Sequence, residues 1–340
     1  MDKVRIAAVA PGAFRGQDEY RNAAQAVAYV DEAVQQGARL VVFPEGYPGP
    51  CNGPMDSGNR LTRTPLEMLR EAGRRHRVYI ACGDLEETGF LPDTYYLCQK
   101  LISPDGEILA NYRRCQPTPP ATNAYLYSGR RHVLPGDEFA VVETELGRLG
   151  LIICSEIFVP ELARVEMLMG AEVLLAPIGG SFGRAKMSLK VGRDIPHPRA
   201  MMSLWKCVAQ ARAAENLMYV VIAANVWEKE STWGACIASP ERVLAESEGA
   251  GIAYATLDME QLRRLRARCR SEEDYADPPV IVPPLVCPGQ HRDRRPELYA
   301  KLVEPQPDAF DFFYHRKGLE RWQEFNRLSQ PGGARTSSRA

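Results

Sequence analysis

The chain has 340 residues, 42 basic against 43 acidic side chains and a formal net charge of -1, a balance that gives neither nucleic acid nor an anionic membrane an electrostatic hold. A hydrophobic share of 45% with 25% charged residues is that of an ordinary globular domain, and no apolar run reaches transmembrane length. Nine cysteines, an odd number without close metal-type pairs, argue for a reducing, cytoplasmic setting and against a disulfide framework or a metal site.

Met1-Asp2-Lys3 leads straight into a predicted strand, Val4 to Ala10, instead of a signal peptide. Asp18 to Gln36 has helical periodicity, with apolar residues at Ala23, Ala26, Val27, Val30 and Val34 and Gly37 as a stop signal. Ala38 to Phe43 reads as a strand that runs into Pro44-Glu45-Gly46-Tyr47, and Thr64 to His76 as a helix with Pro65 at its first position. Val78 to Leu85 and Thr94 to Ile102 are strands, and the turn Ser103-Pro104-Asp105-Gly106 makes a hairpin with Ile108 to Tyr112. Arg113 to Gly136 is too long for a mere connector and is a candidate active-site loop.

Phe139 to Thr144 and Leu149 to Ile153 pair around Gly147, followed by a helix from Pro160 to Met169 and a strand from Ala171 to Pro177. After a second long loop, Gly179 to Pro198, come a helix (Met201 to Asn216), a strand (Tyr219 to Asn225) and a hairpin (Cys236 to Ala238 with Val243 to Glu246). Gly251 to Leu257 closes the strands, and a basic helix follows from Leu262 to Arg270. Strands alternating with helices or hairpins, without a linker break, give one α/β domain over 1–275. Residues 276–330, aromatic-rich from Asp308 to Asn326, read as an extension that packs on the domain or on a partner subunit. Residues 331–340 read as a disordered tail.

The run Leu149 to Ile153 has the apolar continuity of a strand buried on both faces, and it ends on Cys154. The C-terminal edge of a core strand is where α/β folds put their sites, although a free cysteine there also serves as a small core hydrophobe. Two other strand ends carry polar residues: Phe43-Pro44-Glu45 and Tyr112-Arg113-Arg114. Together with Ile153-Cys154-Ser155-Glu156, Pro135-Gly136-Asp137, Pro160-Glu161 with Arg164, Gly170 to Pro177, Ala211 to Asn216 and Arg295 to Tyr299, they resemble the nitrilase superfamily of carbon–nitrogen hydrolases in order and spacing.

The resemblance implies a four-layer αββα sandwich, two mixed β-sheets flanked by helices, usually paired with a second copy, so that a homo-oligomer is expected. It also implies a small-molecule substrate, no metal and no organic cofactor. Its chemistry is acylation of a cysteine by a nitrile, amide or carbamoyl carbon and hydrolysis of the thioester. Carried over, Cys154 is the nucleophile and Glu45 the base. A thiol must lose its proton to attack, and a carboxylate beside it accepts that proton and returns it to the leaving nitrogen.

Two departures stand out. The family's lysine position is Arg114, which stays charged at any accessible pH and cannot pass on a proton. Either its charge stabilises the oxyanion, or it binds a substrate carboxylate and the hydrolytic role is altered. The family's second glutamate falls near Tyr127 to Arg131, where no carboxylate occurs. Glu156 is a candidate local carboxylate or a structural ion-pair partner. Tyr47 and Trp205 are candidate pocket walls, Arg130 and Arg131 candidate contacts to an anionic substrate, and Lys186, Lys190 or His197 candidate replacements for the missing ammonium. Arg113 to Thr118 resembles the Arg-Lys-x-x-Pro-Thr of true nitrilases, yet Ser155 stands where their tryptophan does. Amide, carbamoyl compound and nitrile stay open as substrates, with acyl transfer or binding without turnover as rival outcomes.

Overall fold

Side-chain alternation along the strands sorts the buried apolar residues into three clusters, and these clusters define the layers. In a computed structural model, which describes residues 2–49, 61–89, 94–118, 132–181, 198–227, 233–268 and 294–304, the chain begins β1 (Lys3–Ala10), α1 (Arg21–Gln35), β2 (Leu40–Val42), α2 (Pro65–His76), β3 (Tyr79–Glu87), β4 (Thr94–Ile102) and β5 (Ile108–Arg113). It continues β6 (His132–Leu134), β7 (Ala140–Thr144), β8 (Gly147–Leu151), α3 (Pro160–Leu168), β9 (Val173–Leu175), β10 (Ile178–Ser181) and α4 (Pro198–Asn216). The last elements are β11 (Tyr219–Ile222), β12 (Ala224–Val226), β13 (Cys236–Ala238), β14 (Val243–Glu246), β15 (Gly251–Asp258), α5 (Met259–Arg268) and α6 (Ala300–Val303).

Among the described residues, one sheet has the order β15-β1-β2-β3-β4-β5, with β6 also on β4, and the other the order β14-β13-β11-β9-β8-β7. Both are mixed: β1, β2 and β3 run parallel while β4 and β5 turn back in sequence, and β8, β9 and β11 run parallel between antiparallel neighbours. Ile6 and Ala8 of β1, Leu40 and Val42 of β2, Leu149 and Leu151 of β8 and Val221 of β11 face each other between the sheets. The alternate residues face outward. Ala7, Val41 and Ile80 meet Ala26 and Val30 of α1 and Leu69 of α2; Leu174, Val220 and Ile222 meet Leu162 of α3 and Ala209 and Ala213 of α4. The fold is therefore the αββα sandwich.

Local rules account for several boundaries. Thr64 caps α2 with its side chain on the Glu67 N–H while the Glu67 carboxylate returns to the Thr64 N–H, with Pro65 next in line. Two departures from the expected elements matter for the site. The single strand expected from Tyr219 to Asn225 breaks at Ala223, and β12 leaves the second sheet to pair with β10 and with Gly12 beyond the end of β1. The long loop after Arg113 contains β6, which runs parallel to β4. Residues 276–293 and 305–340, including the aromatic stretch and the tail, lie outside the described residues. No described helix is long and apolar enough to cross a membrane.

Candidate active site

Glu45 sits in a turn three residues past β2. Phe43 still donates to the Ala81 carbonyl at 2.8 Å, after which Pro44 has no N–H to continue the ladder. Gly46 takes a φ of 66°, and the Tyr47 N–H closes the turn on the Pro44 carbonyl at 3.2 Å. From β12, Asn225 donates to the Glu45 carbonyl at 3.0 Å and to the Gly179 carbonyl at 3.1 Å. Its side-chain amide thus ties the Glu45 turn to the segment after β9. Tyr47 does not join the site as a pocket wall. Its ring stacks on Phe43 at 5.5 Å in the helix-facing cluster, and its hydroxyl donates to Asn22 and Gln25 of α1. One turn residue aims into the sandwich and its neighbour out of it.

Arg114 follows β5 directly. Its N–H donates to Leu97 at 2.9 Å, and Gly136 donates to its carbonyl at 2.8 Å. Arg114 is 0% exposed and Glu45 2%, so their contact, Nη1 to Oε1 at 2.9 Å, is a buried ion pair. The same guanidinium donates through Nη2 to Ser155 Oγ at 2.5 Å and through Nε to the Gln116 carbonyl at 3.0 Å. Glu45, Arg114 and the residue after Cys154 are thereby drawn to one point.

Cys154 leaves the strand direction abruptly. β8 ends at Leu151, the Ile152 N–H still takes the Leu175 carbonyl at 3.0 Å, and the Cys154 N–H takes the Pro177 carbonyl at 2.7 Å. Cys154 itself has a φ of 58°, a left-handed conformation uncommon for a residue with a Cβ, and opens the 3-10 turn Cys154–Phe158. Glu156 holds that turn. Its fully buried carboxylate accepts from the Ile153 N–H at 2.7 Å, the Gln116 N–H at 2.8 Å and the Tyr112 hydroxyl at 2.9 Å. Glu156 is therefore a brace between the Cys154 turn and the Arg114 segment, with its oxygens committed to protein donors.

Cys154 is half-buried as a residue. Burial, and then the Glu45 charge, push it up to about 12, while the Arg114 charge and the Gly179 N–H work in the opposite direction. At neutral pH it is thus a protonated thiol beside the Glu45 side chain. Burial also raises Cys82 and Cys236 to about 12 each and Cys115 to about 11, from an ordinary 9.0. An acid raised in the fold contributes stability that is complete below its unfolded value and is lost as pH climbs toward the folded one. The thermal midpoint is therefore expected to be insensitive to these groups below pH 9 and to fall between about pH 9 and pH 12. A midpoint by circular dichroism that stays level to pH 11 would contradict the buried, protonated thiols.

Trp205, the other expected wall, stacks on Trp233 at 6.3 Å and meets Phe158 edge-on at 4.7 Å in the helix-facing cluster of the second sheet. Arg130, Arg131, Lys186, Lys190, His197 and the Tyr127 to Arg131 stretch lie outside the described residues. Among the described residues, no cluster of His, Cys, Asp and Glu is suited to hold a metal ion. Ser155, Gln116, Gly179 and Asn225 also meet at this point, beyond the residues expected from the sequence. Only Asn225 carried a signal, as a polar residue ending an apolar run.

Residues 5–267 match the carbon–nitrogen hydrolase family. The deaminated glutathione amidase of Homo sapiens is 28% identical over 308 residues, 85% of this chain and 82% of that protein. An omega-amidase of Homo sapiens is 25% identical over 256 residues, 72% of this chain and 86% of that protein. Among solved structures, a carbon–nitrogen hydrolase from Helicobacter pylori superposes with a TM-score of 0.67 at 18% identity, covering 89% of this chain and all but 1% of that one (99%). A variant amidase from Nesterenkonia sp. AN1, showing covalent addition of the acetamide moiety of fluoroacetamide at its active-site cysteine, superposes with a TM-score of 0.58 at 20% identity, covering 78% and 95%.

Proposed function

The chain belongs to the carbon–nitrogen hydrolase family, and from that premise we propose that it hydrolyses a small amide through a thioacyl intermediate on Cys154, with Glu45 as general base and Arg114 as the charge that meets the oxyanion. The observation that carries the reading is the convergence of Glu45, Arg114 and the Cys154 turn from three strand ends. Glu45 takes the thiol proton as Sγ bonds to the carbonyl carbon, and the carbonyl electrons move onto oxygen. The tetrahedral species collapses as Glu45 returns the proton to the leaving nitrogen, and ammonia departs. Water then repeats the sequence on the thioester: Glu45 takes its proton, the carboxylic acid leaves and the thiol is restored. The developing negative oxygen needs a fixed positive or N–H environment. The Arg114 guanidinium supplies charge, and the start of the 3-10 turn supplies a backbone N–H at Ser155 that has no partner within the turn.

An amide is favoured over a nitrile or carbamoyl compound because the curated relatives named above are amidases. Covalent addition of an acetamide moiety at the active-site cysteine of the Nesterenkonia amidase supports a nucleophilic thiol as the starting point of the reaction. The test is intact-mass analysis during incubation with acetamide, butyramide, carbamoyl compounds and nitriles, with and without hydroxylamine. An acyl adduct on Cys154 that turns over with release of ammonia, and that is absent from Cys154→Ala, is expected. An adduct that persists until hydroxylamine arrives would indicate transfer to an amine. Turnover that survives Cys154→Ala would overturn the proposal.

A further inference from the structure

We propose that Ser155 is the positioning residue for Arg114, its hydroxyl oxygen holding the guanidinium beside Cys154 through the steps in which Glu45 carries a proton. The inference rests on the amidase reading above and adds to it a residue with no proton-transfer role of its own.

A guanidinium is a rigid plane on a flexible stem. Two acceptors along the edge formed by Nε and Nη2, together with the bond to the stem, fix where that plane lies. Gln116 O at Nε and Ser155 Oγ at Nη2 are those two contacts, and Glu45 Oε1 at Nη1 is a third, off that edge. They differ in how they respond to chemistry. The Glu45 contact is charge-assisted only while Glu45 is ionised, and the mechanism requires Glu45 to be neutral just when negative charge has formed on the substrate oxygen. A carboxylic acid is a much weaker acceptor for the guanidinium than a carboxylate. The Ser155 and Gln116 contacts are neutral oxygens whose hold does not change with that proton. Arg114 thus keeps its place when its counter-ion is lost.

Ser155 is suited to this by position. It follows the nucleophile in a turn whose backbone is fixed independently, by Glu156 on the Ile153 N–H and by the Cys154 N–H on Pro177. Its side chain is the smallest that offers an oxygen acceptor, which leaves room for a fork larger than an ammonium. A lysine at 114 would present one point of charge and could not span all three acceptors.

The test is a double-mutant cycle on whichever short amide the protein turns over, using Ser155→Ala, Arg114→Lys and both together. Ser155→Ala alone is expected to lower kcat about tenfold with KM within about twofold, and to change kcat less than about twofold in the Arg114→Lys background. Ser155→Thr against Ser155→Val, matched in shape, separates the oxygen from the volume: the threonine variant is expected to stay within about threefold of the parent and the valine variant to behave as alanine does. A second readout needs no turnover. The pH midpoint for alkylation of Cys154 by iodoacetamide is expected to rise in Ser155→Ala and Ser155→Val and to stay put in Ser155→Thr. Should no amide be hydrolysed by the parent protein, the amidase reading falls and the alkylation profile still decides Ser155. Equal losses in both arginine and lysine backgrounds, or an alkylation midpoint that Ser155→Val leaves unmoved, would overturn the proposal.

Discussion

Glu45→Gln is expected to reduce turnover by a factor of about a thousand or more and to destabilise the fold by about 3 kcal/mol. The first effect follows from the thiol, which burial keeps protonated at neutral pH and which the Glu45 carboxylate faces. Glutamine cannot take its proton. The second effect is electrostatic and independent of catalysis. Glu45 and Arg114 have fully buried side chains, and removing one member leaves an uncompensated guanidinium away from water. A lost buried partner costs about 3–5 kcal/mol as a rule. The lower end applies here because the Glu156 carboxylate and Arg114 also act on each other electrostatically. The two effects separate in a double variant. Glu45→Gln with Arg114→Met removes both charges and is expected to recover much of the stability while remaining inactive. Urea unfolding of the parent and the two variants, with ammonia release measured on each, checks this. A Glu45→Gln protein as stable as its parent would show that the pair contributes nothing to the fold.

The parts of the site legible in the sequence are those set by local rules. A buried strand followed by a turn is visible from apolar continuity ahead of Glu45 and Cys154, whereas the end carrying Arg114, on a largely exposed strand, was found from its hairpin turn and the resemblance. The hairpin at Ser103 to Gly106 and the helix start at Pro65 were readable for the same reason, since their chemistry lies within four residues. What holds the three ends together was not readable. Ser155 meets Arg114 across 41 positions, Gln116 meets Glu156 across 40, and Asn225 meets the Glu45 carbonyl across 180. Such contacts depend on how the sheets are stacked. Glu156 stood open between a site carboxylate and a structural one, and the local clue was its place three residues after Ile153. There it reaches back to the Ile153 N–H as the glutamate of a capping box does. Tyr47 misled because a turn at a strand end has two sides. The break at Ala223 was hidden because the run from Tyr219 to Ala224 is apolar throughout and gives no stop signal.

A substitution that touches no reacting group provides the other large effect. Gly83→Ala is expected to cost about 1–3 kcal/mol and about a hundredfold in kcat/KM. Gly83 lies inside β3, where a glycine normally weakens a strand and marks a close approach. An added Cβ would stand 2.1 Å from the Gly46 nitrogen, 2.7 Å from its Cα and 2.7 Å from the Pro44 carbonyl oxygen. All three are backbone atoms, so no rotamer change can relieve the contact. β3 is held by β2 on one side and β4 on the other, whereas the Pro44 to Gly46 turn lies past the end of β2, so the turn is the part expected to move. It carries Glu45 with it, while Cys154 and Arg114 stay on their own strands. Turnover should therefore fall while alkylation of Cys154 at alkaline pH, where Glu45 is not needed as base, stays near the parental rate. Gly89→Ala is the control: a φ of 74° brings backbone strain, but nothing lies within 4 Å of its Cβ position, so about 1 kcal/mol of stability and no activity should be lost. If Gly83→Ala hydrolyses amides as the parent does, the position of the Glu45 turn does not depend on β3, and contacts such as those from Asn225 and Arg114 suffice to place it.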